Sequence, residues 1–93
     1  MNDLERKIYK EVEKILLQFK KELEVIGISY DLSFYCSGVK KSYFSEIEIT
    51  FWKDNNVLDV ISIIIYLKGK KRSTEELFIN WFKGELEEII ANT

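Results

Sequence analysis

The chain has no histidine, no proline and a single cysteine, and these absences narrow its chemistry before any pattern is read. Histidine is the commonest general base near neutral pH and the commonest zinc ligand. Without it, and with Cys36 alone, structural zinc and metal-assisted hydrolysis lose their usual ligands, and no disulfide can close within the chain. No run of about eighteen apolar residues is present to span a bilayer. The opening residues Asn2, Asp3, Glu5, Arg6 and Lys7 lack the form of a secretory leader. A cytoplasmic, reducing setting without membrane association is the expectation. There is no internal repeat, linker or low-complexity stretch, so residues 1–93 read as one domain.

What the chain does have is apolar material. Of its 93 residues 46% are hydrophobic, including two Trp, five Tyr and six Phe. A domain of this size buries only about 60–65% of its unfolded surface, so its core must be well used. The net charge of −2 argues against general coating of a polyanion but leaves room for a local basic patch.

Periodicity divides the chain into five segments. Leu4, Ile8, Val12, Ile15, Leu16, Phe19, Leu23 and Ile26 fall on one stripe about 120° wide at 100° per residue, predicting a helix over about 3–26 that Gly27 ends. Alternation from Ile28 to Cys36 predicts a strand over 28–36, and further strands follow over about 43–52 and 57–67. The residues Lys53-Asp54-Asn55-Asn56 between the last two favour a tight turn with left-handed geometry. Ser73 with Glu76 has capping-box spacing and opens a last helix over about 74–90, where Phe78, Ile79, Phe82, Leu86, Ile89 and Ile90 share a face. Leu77, Trp81 and Gly84 lie beside that face, and Gly84 is expected to admit another backbone, the first helix being the nearest choice. The fold class is α+β, a two-layer sandwich in the order α-β-β-β-α. Both helices cover one face of a three-stranded antiparallel meander.

Matching apolar positions across the strands gives a register. Cys36 opposite Tyr43 sets Phe34 against Ser45 and Leu32 against Ile47, while Trp52 opposite Leu58 sets Ile49 against Ile61 and Ile47 against Ile63. Even positions of the first strand and odd positions of the other two then point toward the helices. The outer face is left with Tyr35, Phe44 and Tyr66 in a row, with Asp31, Glu46 and Glu48 in the middle, Ile64 and Val60 beside them, and Trp52 next to Leu58. The third strand is apolar on both faces, a condition that in an edge strand calls for a partner or a cover.

Two further clusters stand out. Lys68, Lys70, Lys71 and Arg72 lead into a helix start, where backbone N–H groups attract anions, and Lys40 and Lys41 belong at the same end of the sheet. The element order resembles that of the double-stranded RNA-binding domain, which carries phosphate contacts at the start of its second helix. The resemblance is one of topology. That family's lysine-rich signature is replaced here by Ser73, Thr74, Glu75 and Glu76. Glu46, Glu48 and Asp31 form a carboxylate cluster without histidine, a Gly-rich loop or a nucleophile, and Cys36 alternates inward as a small core residue.

The expectation is accordingly a non-enzymatic protein-binding module of the inhibitor, immunity, antitoxin or adaptor kind, with no cofactor and no metal. Its contacts would be Tyr35, Phe44, Glu46, Glu48, Trp52, Ile64, Tyr66 and Trp81, and its partner a basic protein or a second copy of itself. The alternative is nucleic-acid binding through Lys40, Lys41, Lys68, Lys70, Lys71 and Arg72.

Overall fold

The computed structural model describes residues 1–72 and 75–93. Helices α1 (Asp3–Gln18) and α2 (Lys20–Val25) lead into strands β1 (Ile28–Ser37), β2 (Phe44–Lys53), β3 (Asn56–Leu67) and β4 (Lys70–Lys71), and helix α3 (Glu75–Ala91) follows. The strands form one antiparallel sheet in the order β1-β2-β3-β4. The fold is therefore α+β with four strands, one more than the periodicity predicts.

α1 begins with a reciprocal cap. The Asn2 side chain accepts from the Glu5 N–H at 2.8 Å while the Glu5 carboxylate accepts from the Asn2 N–H at 2.7 Å, so two otherwise orphaned donors are satisfied. The helix expected to run unbroken to about residue 26 is interrupted at Phe19, where ψ flattens to 3°. Little is lost there, because the Phe19 N–H still reaches the Ile15 carbonyl at 3.2 Å and the Phe19 carbonyl accepts from Leu23 at 2.9 Å. Leu23 remains in the core beyond the break. Gly27, at φ 77°, ends this segment in the left-handed conformation that its lack of a side chain permits.

Strand parity follows the alternation. Ile47, Ile49 and Phe51 of β2 and Ile61, Ile63 and Ile65 of β3 are buried. They form one cluster with Ile8, Val12, Ile15 and Leu16 of α1 and Phe82, Leu86 and Ile89 of α3. Residues Asp54 and Asn55 turn from β2 into β3 with φ of 53° and 65°, the paired left-handed geometry a two-residue hairpin requires.

The register of the first hairpin departs from expectation by two residues: Phe34 faces Ile47, Leu32 faces Ile49 and Tyr30 faces Phe51. A shift of two preserves parity, so the faces are unchanged. Its cause lies in the connection, where Lys40–Ser42 forms a single tight helical turn. The Tyr43 N–H bonds back to the Lys40 carbonyl at 3.1 Å, so pairing starts with Phe44 opposite Ser37. The β2–β3 register is as expected in its centre, with Ile47 opposite Ile63 and Ile49 opposite Ile61. Irregularities at both ends set Ser45 opposite Tyr66 and Trp52 opposite Val57 instead of Leu58.

The additional strand comes from the basic segment. Lys68 and Gly69 both have positive φ, 55° and 74°, and turn Lys70 and Lys71 back beside Tyr66 and Leu67. The Arg72 N–H then donates to the Ile65 carbonyl at 3.0 Å. Ser73, expected to cap the last helix, and Thr74, expected to start it, lie outside the described residues.

Candidate protein-binding groove

Strand β3 defines the region of greatest interest. One of its edges is paired to β2 throughout, whereas on the other β4 covers only Tyr66 and Leu67. From Asn56 to Ile64 no described strand lies alongside, so every second residue there directs its N–H and C=O outward. Val57, Leu58 and Val60 are exposed on this stretch, Val60 at 45%. Asp59 is the only charge on it, and its carboxylate accepts from the Val60 N–H at 2.8 Å.

Helix α3 lies beside this edge, and two separate cavities open between the two, together the groove. At the β4 end the groove has a volume of about 500 Å³ and is lined by Ser62, Ile63, Ile64, Arg72, Leu77, Phe78 and Trp81. At the opposite end it has a volume of about 250 Å³ and is lined by Leu58, Asp59, Glu85, Glu88, Ile89, Asn92 and Thr93. The first end is mainly apolar with one cation, Arg72, and the second carries three carboxylates, Asp59, Glu85 and Glu88. Leu77 is 60% exposed and Trp81 46%, and a side chain added at Gly84 would meet nothing within 4 Å. The first helix is therefore not packed against Gly84, contrary to expectation; the glycine faces open space.

The outer sheet face is less of a platform than expected. Tyr35 faces Glu46, Phe44 faces Ser37 and Tyr66 faces Ser45, so these aromatics do not form a cross-strand row. Tyr66 instead stacks edge-on against Tyr43, with ring centroids 5.6 Å apart, and packs against the core. Asp31 stands opposite Thr50 and accepts a hydrogen bond from the Trp52 indole N–H at 3.0 Å, away from Glu46 and Glu48. Glu46 lies between Tyr35 and Ile64, and Glu48 between two serines, Ser33 and Ser62. Among the described residues no three His, Cys, Asp or Glu side chains gather to hold a metal ion, and no helix is long and apolar enough to cross a membrane.

A polar corner lies at the β4 end of the sheet, and sequence reasoning missed it. Glu5 sits on the inward stripe of α1 with 0% exposure, and its carboxylate accepts from the Tyr43 hydroxyl at 2.6 Å as well as from Asn2. Burial pushes the Glu5 carboxyl up, but the Ser45 and Tyr43 hydroxyls and the Asn2 backbone outweigh it, leaving the pKa below its ordinary value. Ser45 is buried beside this carboxylate without closing a hydrogen bond of good geometry. The hydrogen bond to Glu5, followed by burial and the negative charge of Glu5, pushes the Tyr43 phenol up to about 12. Cys36, expected in the core, is exposed on the edge strand β1, although its cross-strand partner Ser45 is buried. The signal for this corner was the Asn2-x-x-Glu5 spacing at the start of an apolar stripe.

The basic residues also meet at that end. The Gly69 N–H donates to the Tyr43 carbonyl at 2.8 Å, and Gly69 lies so close to the Lys40 backbone that a side chain there would collide with it. Lys40 and Lys41 are thus brought beside Lys68, Lys70 and Lys71. No family model, curated protein or solved structure matches the chain.

Proposed function

We propose that the chain is a cytoplasmic protein-binding module that acts by stoichiometric contact, as an inhibitor, immunity protein, antitoxin or adaptor does, and not as an enzyme. The observation that carries this reading is the free edge of β3, apolar on both faces and flanked by the exposed Trp81 of α3. Such an edge offers main-chain hydrogen bonds for affinity, and the groove beside it supplies pockets for alternate side chains of an added strand. Ile64 and Trp81, among the contacts expected from sequence, line this groove; Phe44, Trp52 and Tyr35 do not. The contact surface we propose is the sheet edge, not the open face.

The test is capture by the tagged chain from its own cell, with the bound protein quantified against the bait. Wild type should recover a partner in fixed ratio, and Val60→Lys together with Trp81→Ser should lose it while folding normally. Recovery unchanged by both substitutions would remove the groove from consideration.

A second reading, nucleic-acid binding, is favoured by one observation, the gathering of Lys40 and Lys41 beside the Lys68–Lys71 turn. It predicts a complex with duplex RNA or DNA whose affinity falls steeply with salt as counterions are released. A gel shift absent at low salt would end it.

A further inference from the structure

Resting on the reading of β3 as a docking edge, we infer that its occupant is a second copy of the chain, paired antiparallel through β3 about a twofold axis. Three independent features of the groove agree on this partner.

The first is length. The free edge is bounded by β4, which takes up Tyr66 and Leu67, and by the Asp54–Asn55 turn. The stretch between them, Asn56–Ile64, centres on Val60. An antiparallel copy centred there pairs Val60 with its own counterpart and Ser62 with Leu58 and uses the whole stretch, the Val60 N–H exchanging the Asp59 carboxylate that holds it in the single chain for the mate. β4 of one copy then abuts the β2–β3 turn of the other, which fixes the register.

The second is charge. Arg72 marks one end of the groove and Asp59, Glu85 and Glu88 mark the other. Twofold symmetry sets each surface patch against its counterpart in reverse order, so the cationic end of each copy meets the acidic end of its mate. A pattern that opposes itself in this way is complementary to a copy of itself.

The third is the shape of α3. Leu77, Trp81, Gly84 and Glu88 lie within about 60° of arc at 100° per residue and so share one flank. The groove sets Leu77 and Trp81 beside Ser62–Ile64, and Glu85 and Glu88 beside Leu58 and Asp59. An axis through Val60 therefore crosses α3 between Trp81 and Gly84. Each Trp81 indole is brought against the other copy's Gly84, where space for it is open. The two sheets join into one, and the exposed indole is covered by the same operation that satisfies the strand edge.

The test is sedimentation equilibrium and light scattering from about 1 to about 100 µM, spanning the affinities usual for dimers of small domains. The expected mass rises to twice the 11.1 kDa of one chain. Val60→Lys places a charge at the axis and Gly84→Leu fills the open space at that glycine, and each should weaken association about tenfold or more. Arg72→Glu and Glu88→Lys should each weaken it, and the two combined in one chain should restore it. Thermal melts at low concentration confirm that the variants fold. A single-chain mass across the whole range overturns the dimer, as does a dimer that Val60→Lys leaves intact or that the charge reversal fails to restore. The capture experiment above then reports separately on the groove, since loss of a different partner from Val60→Lys would uphold that reading while the self-pairing fails.

Discussion

The polar corner around Glu5 and the groove beside β3 present opposite solutions to the same problem. In the corner, a carboxylate with no exposed surface obtains its partners from the chain itself: the Asn2 N–H and the Tyr43 hydroxyl. In the groove, apolar side chains and a strand edge are left unpaired by any described strand, although α3 passes close by and Asp59 holds the Val60 N–H. A polar group buried without a partner costs stability, whereas an exposed apolar edge is a surface on which a partner can dock. The corner serves the fold, and the groove is the surface proposed for docking.

That contrast can be broken by substitution. Glu5→Ala removes half of the α1 cap and orphans the Tyr43 hydroxyl, and should cost about 2–3 kcal/mol of stability with no change in association. A chemical-denaturation midpoint measured alongside sedimentation reads both quantities. Val60→Lys should do the reverse, with stability changed by no more than about 0.5 kcal/mol, because the position is half-exposed on an edge strand. If Val60→Lys unfolds the chain, or Glu5→Ala abolishes association at a temperature where it remains folded, the division between the two regions is wrong.

Two smaller effects sharpen the comparison through pH. Because the Glu5 carboxyl is held below its ordinary value of 4.5, its contribution to stability is complete above that value and is lost as pH falls through the lowered pKa. Glu5→Gln should flatten the acid limb of a stability-against-pH curve. Tyr43 works in the opposite sense: its neutral phenol is favoured, so its contribution is complete below 10.0 and disappears as pH rises toward about 12. Ultraviolet titration should show a phenol step near 12 that is absent from Tyr43→Phe. The smallest effect belongs to the groove, where Asp59→Asn removes one charge from the acidic end that meets Arg72 of the mate and should weaken self-pairing about threefold at neutral pH by sedimentation equilibrium.

Much of this architecture was readable in the residues, and the exceptions have physical causes. Alternation in β2 and β3 specified which side chains are buried, since a strand has only two faces. The same alternation could not separate the observed β1–β2 register from one displaced by two, as both set apolar against apolar; the tight turn at Lys40–Ser42 decides between them. β4 went unread because two lysines carry no apolar alternation, and their pairing is imposed by the left-handed Lys68–Gly69 turn. The break at Phe19 has no proline or glycine to announce it. Of the residues that line the groove, Ile64 and Trp81 were among the contacts expected from sequence, and the doubly apolar character of β3 was read there too. The groove itself was not, because it depends on α3 lying beside the edge, a tertiary relation that no local pattern records.

The short β4 hairpin has one more consequence. A long strand with apolar residues on both faces is a ready template for stacking chain upon chain into fibres, since each newly added strand offers a fresh edge to the next. By turning Lys70 and Lys71 back onto Tyr66 and Leu67, the chain shortens that template and places two positive charges at its end. Twofold pairing would consume what is left in both copies at once, so growth through β3 would terminate at two.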